Sequence, residues 1–313
     1  MRRGPRGIQT NALDGKHQLV RHQSTNGECA GRRGLGRFIE TLLSGIPWSE
    51  RAEATETVHV ARPPSGNLRI DNANGRTRVV GEDRDDIEIQ LSKAARAESV
   101  EQAQRLLEAI RVVPSQDAGG DLNLDIEIPG RWNRRGRVDM ELRIPRELTV
   151  QVSAANGKVC VQGLRGSVRA RSSNGAVRIE DVIGNLEIAT SNAKVSCLCT
   201  CGHLTARSSN GTIELEDHRG SVDAATSNGT IHCELEELEK PGIVLATSNG
   251  RIVLELPEEV DGDIDIRVDN GWIRNSRELD PPSRERRGRV KGTLGRGGIP
   301  IRLRASNGTI SIR

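Results

Sequence analysis

An Asn-Gly dipeptide, usually preceded by serine, returns along this chain at a near-constant interval. Asn156-Gly157, Asn174-Gly175, Asn192-Ala193, Asn210-Gly211 and Asn228-Gly229 lie 18 residues apart. Asn249-Gly250 and Asn270-Gly271 follow at intervals of 21, and Asn307-Gly308 comes 37 later. A unit this short cannot bury a core alone, so its repetition implies a stack of many copies. A stack offers a regular surface before it offers a pocket.

Each 18-residue unit has a half-period, with Gly166, Gly184, Gly202 and Gly220 nine residues after Gly157, Gly175, Ala193 and Gly211. Apolar residues alternate within each half, as in Val177/Ile179 then Leu186/Ile188, which marks short half-buried strands. Asn-Gly also suits antiparallel hairpins, but the regular return favours coils whose equivalent residues stack about 4.8 Å apart. The expected fold class is all-β, a parallel β-solenoid of about 18-residue coils. That register places Val159, Val177, Val195, Ile213 and Ile231 in one buried column. Val161, Ile179, Cys197, Leu215 and Cys233 form another. The asparagines are expected to form an amide ladder, with glycine or asparagine tolerating positive φ at the corners.

The 313 residues include one Phe, three Trp and no Tyr. Narrow coils are filled by Val, Ile, Leu and Ala, so the scarcity fits a solenoid. It also removes the stacking platforms of single-strand nucleic-acid binding, and no nucleic-acid partner is expected. The net charge of +3 is unevenly spread: residues 211–265 hold 14 Asp/Glu against 3 Arg/Lys, and residues 274–304 hold 10 Arg/Lys against 3 Asp/Glu. An acidic flank meeting a basic end in a neighbouring copy is a route to self-association. No apolar run of 18 residues exists, so no transmembrane span is expected. Met1–Asn26 is polar and lacks an apolar core. No signal peptide is expected, and the chain as written reads as cytoplasmic.

Residues 1–54 read as a basic, disordered leader with a short amphipathic helix on Leu35, Phe38, Ile39, Leu42, Leu43 and Ile46. Residues 55–313 read as a single β-solenoid domain: first coils over 55–150, regular coils over 151–273, then an irregular basic loop and the last strands over 274–313. Ser99 and Gln102 have capping-box spacing. They open a helix over 99–111 whose apolar face is Val100, Ala103, Leu106, Leu107 and Ile110, with Pro114 as its stop. Such a helix would cap the N-terminal end of the stack.

Ser65-Gly66-Asn67-Leu68-Arg69-Ile70, Asn74-Gly75 and Val79-Val80-Gly81 precede that helix, and a strand ending Arg143-Ile144-Pro145 follows it before the Ser-Asn-Gly coils. In these pieces, over about residues 56–313, the chain resembles the bacterial DUF4097 putative-adhesin β-strand-repeat family. The resemblance implies the solenoid fold. It also implies an adhesin-like interaction role, with a cell-envelope setting for many members.

Four features could carry chemistry. Cys197, Cys199 and Cys201 alternate, and His218 occupies the equivalent turn one rung on. Cys199, Cys201 and His218 are therefore soft-metal candidates, although zinc prefers four converging ligands, and buried cysteine ordinarily packs as a small hydrophobe. A disulfide within 197–201 is the other reading of this segment. Glu180-Asp181 and Glu216-Asp217 stand two rungs apart, roughly 10 Å, too far for a calcium ladder. They are the only clustered carboxylates near a coil corner, with Arg219 as the basic residue beside them, and so the candidates for a polysaccharide-active β-helical enzyme. The Ser/Thr-Ser-Asn triplets at 172–174, 190–192, 208–210, 226–228 and 247–249 make a polar ridge that could bind glycan or order water.

No nucleophile elbow, phosphate loop or metalloprotease helix is present. The expected protein is a non-enzymatic solenoid scaffold or adhesin-like interaction protein without catalytic residues or cofactor, meeting a protein or cell-envelope surface. The alternatives are the polysaccharide-active enzyme and a soft-metal-binding solenoid.

Overall fold

The computed structural model describes residues 50–128, 135–281 and 288–313. The helix expected around residues 35–46 and most of the basic segments near 131–137 and 284–289 lie outside the described residues.

The elements are β1 (Glu50–Ala61), β2 (Asn67–Asn74), β3 (Thr77–Glu82), β4 (Asp86–Ala97), α1 (Val100–Ala109), β5 (Arg111–Gln116), β6 (Leu122–Glu127) and β7 (Gly136–Pro145). The repeat follows as β8 (Thr149–Asn156), β9 (Val159–Gln162), β10 (Val168–Ser172), β11 (Val177–Ile183), β12 (Leu186–Thr190), β13 (Val195–Asn210) and β14 (Ile213–Glu255). β15 (Gly262–Asn275), β16 (Arg289–Leu294) and β17 (Pro300–Ile312) complete it. All join in one long, mostly parallel sheet.

The register is that of a stack, not a meander. Val177 pairs in parallel with Val195, and Val195 with Ile213. On a second ladder Val168 pairs with Leu186, and Leu186 with Leu204. Inward residues of both ladders form one buried cluster, and both columns expected from the sequence lie within it. Val177, Ile179, Leu186 and Ile188 are at most 2% exposed, each worth roughly 1.5–3 kcal/mol of burial. With the fully buried Val182, such a rung holds by five aliphatics and by ladder bonds to both neighbours.

The asparagine ladder is continuous. Asn156 Nδ2 donates to Asn74 Oδ1, Asn174 to Asn156, Asn192 to Asn174, Asn210 to Asn192, Asn228 to Asn210 and Asn249 to Asn228, at 2.9–3.1 Å. Its next members are not in chain order. Asn307 donates to Asn249 at 2.9 Å, and Asn270 donates to Asn307 at 3.1 Å. β17 pairs with residues 243–254 of β14 on one side and with β15 on the other. The chain therefore skips a rung, builds the terminal coil, and returns to fill the gap. The N-terminal end does the same: β2 and β3 lie between β8/β9 and the outer β6/β7.

Antiparallel strands flank both outer coils. β4 pairs with β7, β1 with β4, β5 with β6, and β16 with β15. The basic segment expected as an irregular loop thus contains a strand, and residues 50–54, expected in the leader, belong to β1.

Helix α1 is shorter than the expected 99–111. Ser99 caps it, accepting from the Gln102 N–H at 3.3 Å, and Ile110 already has extended φ/ψ. Ala103, Leu106 and Ile110 are buried, whereas Val100 is 46% exposed. Pro114 does not stop the helix. It sits within β5, which pairs only with β6, where a missing N–H is tolerated. α1 contacts β1 and β4.

At the Asn-Gly corner Gly75, Gly250, Gly271 and Gly308 take positive φ, whereas four other glycines are there for clearance rather than dihedral freedom. A Cβ on Gly157, Gly175, Gly211 or Gly229 would lie 1.6–2.2 Å from the carbonyl oxygen of the rung before it. None of these four has φ in the left-handed region.

Candidate binding surface

The Ser/Thr-Ser-Asn triplets divide into three rows with different roles. The first hydroxyls, on Ser172, Thr190, Ser208, Thr226 and Thr247, are buried at 4–8% exposure. Three of them close the corner: Ser172 Oγ donates to Gly157 O at 3.4 Å, Thr226 Oγ1 to Gly211 O at 3.2 Å and Thr247 Oγ1 to Gly229 O at 3.4 Å. The asparagine amides are bound to one another. Of the two hydroxyl rows only the second, Ser173, Ser191, Ser209, Ser227, Ser248 and Ser306, is exposed.

Beside the serines runs an open groove in two connected parts. The first, of ≈ 700 Å³, includes Arg171, Ala189 and Arg207; the second, of ≈ 490 Å³, includes Arg207, Ala225, Ala246, Arg304 and Arg267. These residues occupy one outward column on consecutive rungs, since Arg171 pairs with Ala189, Ala189 with Arg207, Arg207 with Ala225, Ala246 with Arg304 and Arg304 with Arg267. Alanines hollow the floor and arginines wall it. The rung insertion builds the cationic end, because it sets Arg304 directly against Arg267.

Arg171 is held by Glu187 at 3.0 Å, and that guanidinium keeps the Glu187 carboxyl below its usual range. Arg207 bonds the Asp223 carboxylate and donates to Asp223 O at 2.6 Å. Arg267, Arg302 and Arg304 are exposed and have no ion-pair partner among the described residues. Other basic residues of that segment are already matched within the chain, Arg289 to Asp265 at 2.9 Å and Arg296 to Asp261 at 2.9 Å. The charge complementarity read in the sequence is therefore partly used internally.

The cysteine corner does not gather its three candidates. Gly163, Asp181, Cys199 and Asp217 occupy one column in the left-handed region, at φ 48 to 73. That extra turn flips the alternation. Thr200 and His218 point inward, while Cys199 is exposed and Cys201 half-buried. His218 Nδ1 lies 2.8 Å from Thr200 Oγ1, and its Nε2 is buried without a partner among the described residues. Burial holds the imidazole pKa below its ordinary value. Desolvation, then the adjacent Asp217 carboxylate, raises that of the Cys199 thiol, which donates to Asp217 at 3.8 Å. Cys199 and His218 thus lie on opposite sides of the coil wall. Cys160, Cys197, Cys199, Cys201 and Cys233 are all free thiols, and burial pushes Cys233 up to about 12.

Glu180 and Glu216 lie on either side of Leu198 in the stack, and neither lines the groove. Glu180 pairs with Arg178, and Arg219 with Glu236. A cluster the sequence reading missed is His232, Glu234 and Glu255, whose donor atoms lie within 4.8 Å of one another. The three-residue lengthening of that coil brings Glu234 beside Glu255, and Arg313 already approaches Glu255 at 3.5 Å. Among the described residues no helix is long and apolar enough to cross a membrane.

A family model described as Toastrack DUF4097 matches residues 65–313. No curated protein matches the chain. Among solved structures it is similar to a putative adhesin from Parabacteroides merdae ATCC 43184, at 10% identity and a TM-score of 0.44, covering 85% of this chain and 97% of that one. A putative adhesin from Bacteroides fragilis NCTC 9343 gives 13%, 0.40, 86% and 100% for the same quantities. A putative lipid binding protein from Parabacteroides distasonis ATCC 8503 gives 12%, 0.40, 86% and 99%.

Proposed function

The chain belongs to the Toastrack DUF4097 family, and we propose that it is a non-enzymatic β-solenoid scaffold, an adhesin-like interaction protein that meets a cell-envelope surface. Residues 55–313 act as one unit of about 18-residue coils, with α1 capping the N-terminal end. The observation that carries this reading is the exposed serine edge, continuous over six rungs from Ser173 to Ser306, and its groove, which run beside a self-satisfied amide ladder. Such a surface suits an extended partner. Glu180, Asp181, Glu216 and Asp217, the carboxylates weighed for a hydrolase, stand outside the groove.

Purified protein is mixed with washed envelope fragments and sedimented, and the supernatant is assayed for new reducing ends. Co-sedimentation without sugar release is expected. Release of oligosaccharides would establish the enzyme instead, and failure to sediment would remove the envelope scaffold. Pairing of the remaining acidic and basic surfaces between copies is a secondary proposal, read out as salt-sensitive mass in sedimentation velocity.

A further inference from the structure

The groove differs from the rest of the wall in three respects. It is concave where the alanines stand, at Ala189, Ala225 and Ala246. It has hydroxyls on one side on six consecutive rungs, from Ser173 to Ser306, and Asp269 in the equivalent place on the Arg267 rung. Its cationic end carries Arg267 and Arg304 on adjacent rungs, neither in an ion pair among the described residues, against one lining carboxylate, Asp269. Two adjacent guanidiniums repel each other, and each offers planar donors suited to a carboxylate. At the opposite end the groove is bounded by Asp71 and Asp125, so an anion is favoured only from Arg171 onward.

We propose that the groove from Arg171 to Arg267 binds a linear acidic glycan, with carboxylates against Arg207, Arg304 and Arg267 and sugar hydroxyls against the exposed serine row. The cationic run covers seven rungs, from Arg171 through Ala189, Arg207, Ala225, Ala246 and Arg304 to Arg267. It is roughly 29 Å long, a length that fits a polymer rather than a single sugar. A rod-like site with a donor or acceptor at each rung also fits an extended chain with a short repeat. Nucleic acid fits less well. Trp272 is the one aromatic residue among those described, and it lies on the other ladder, paired with Thr309, so no base-stacking platform lines the groove. This inference names the ligand class of the surface on which the scaffold reading rests.

The test uses the full chain and polygalacturonate, a linear glycan with one carboxylate per sugar. Its methyl ester serves as a neutral control and poly(dT) as a polyanion of another class. Binding is measured by titration calorimetry at two salt concentrations. Polygalacturonate is expected to bind, more weakly at high salt, and the ester much more weakly. Arg267→Ala/Arg304→Ala together, and separately Ala225→Glu, are expected to lower affinity roughly tenfold or more. Arg251→Ala, a cation on the other ladder, is expected to leave affinity unchanged. Circular dichroism confirms that each variant is folded.

The proposal is overturned by absent binding, by an equal loss in Arg251→Ala, or by equal binding of poly(dT) with the same variant pattern. Envelope sedimentation of the groove variants separates the two readings. If it survives while polygalacturonate fails, the ligand class is wrong and the scaffold stands. If the wild-type chain does not sediment, the scaffold itself fails.

Discussion

Ala193→Gly should stabilise this protein, although glycine usually weakens a strand. Ala193 is the one residue with a Cβ in a column where a Cβ on Gly175 or Gly211 would approach a carbonyl oxygen to 1.6 or 2.1 Å. The strain shows on both sides of it. Ser172, Thr226 and Thr247 each donate their hydroxyl to the glycine carbonyl of the coil before. Thr190 Oγ1 and Ser208 Oγ, whose equivalent acceptors are Gly175 O and Ala193 O, are buried without a partner among the described residues. Ala193 lacks a left-handed φ, so the missing glycine is a matter of space alone. Removing the Cβ lets that rung close and forms two bonds worth about 0.5–1.5 kcal/mol each. Glycine's added chain entropy costs about 0.5–1 kcal/mol. The net expectation is a gain of about 1 kcal/mol. Urea unfolding should show it as a higher midpoint at unchanged slope, with Gly211→Ala moving the midpoint the other way. A lower or unmoved midpoint for Ala193→Gly would refute the claim that its Cβ holds these hydroxyls from their acceptors.

Cys199→Gly should also stabilise, by about 1 kcal/mol, because it removes a side chain from a left-handed corner that Gly163 occupies without strain; a loss of stability in thermal unfolding contradicts this. His218 gives a pH signature. Its folded pKa is depressed by burial, so below the unfolded-state value of about 6.5 the unfolded chain takes a proton that the folded chain refuses. Stability is full above that pH and falls below it, at up to about 1.4 kcal/mol per unit. Urea midpoints between about pH 7.5 and 5 should show the decline in the wild type and less of it in His218→Val, which copies Val182 two rungs earlier in the same column; equal slopes would remove His218 as the cause.

The regular part of the fold was legible because the period is local. Val177, Val195 and Ile213 share a column by counting alone, and the asparagine ladder follows from the same count. The ends were not legible. A gap of 37 between Asn270 and Asn307 reads as an irregular loop before a last rung, whereas long-range pairing fills a rung left open earlier. Sequence spacing carries no information about that order. The cysteine corner was misread for a different reason. One left-handed residue per coil shifts the inward-outward alternation, so His218 turns into the core and Cys199 outward. The ridge was recognised as polar, but its buried hydroxyl row looks identical to its exposed one until the corner geometry separates Ser172 from Ser173. Arg304 was read as part of a basic terminal segment, and its place against Arg267 depends wholly on the inserted rung.

That insertion is the claim on which both the fold and the cationic groove end depend, and cysteine pairing tests it directly. In a Cys199→Ser background, Arg251 and Thr309 pair on adjacent rungs, as do Thr309 and Trp272. Neighbouring rungs are about 4.8 Å apart, within the Cα range of a disulfide, and residues two rungs apart, at about 9.6 Å, are outside it. Oxidation should therefore join Arg251→Cys to Thr309→Cys, and Thr309→Cys to Trp272→Cys, but not Arg251→Cys to Trp272→Cys. Efficient joining of that last pair, with none between Arg251→Cys and Thr309→Cys, would restore chain order to the stack and contradict the account.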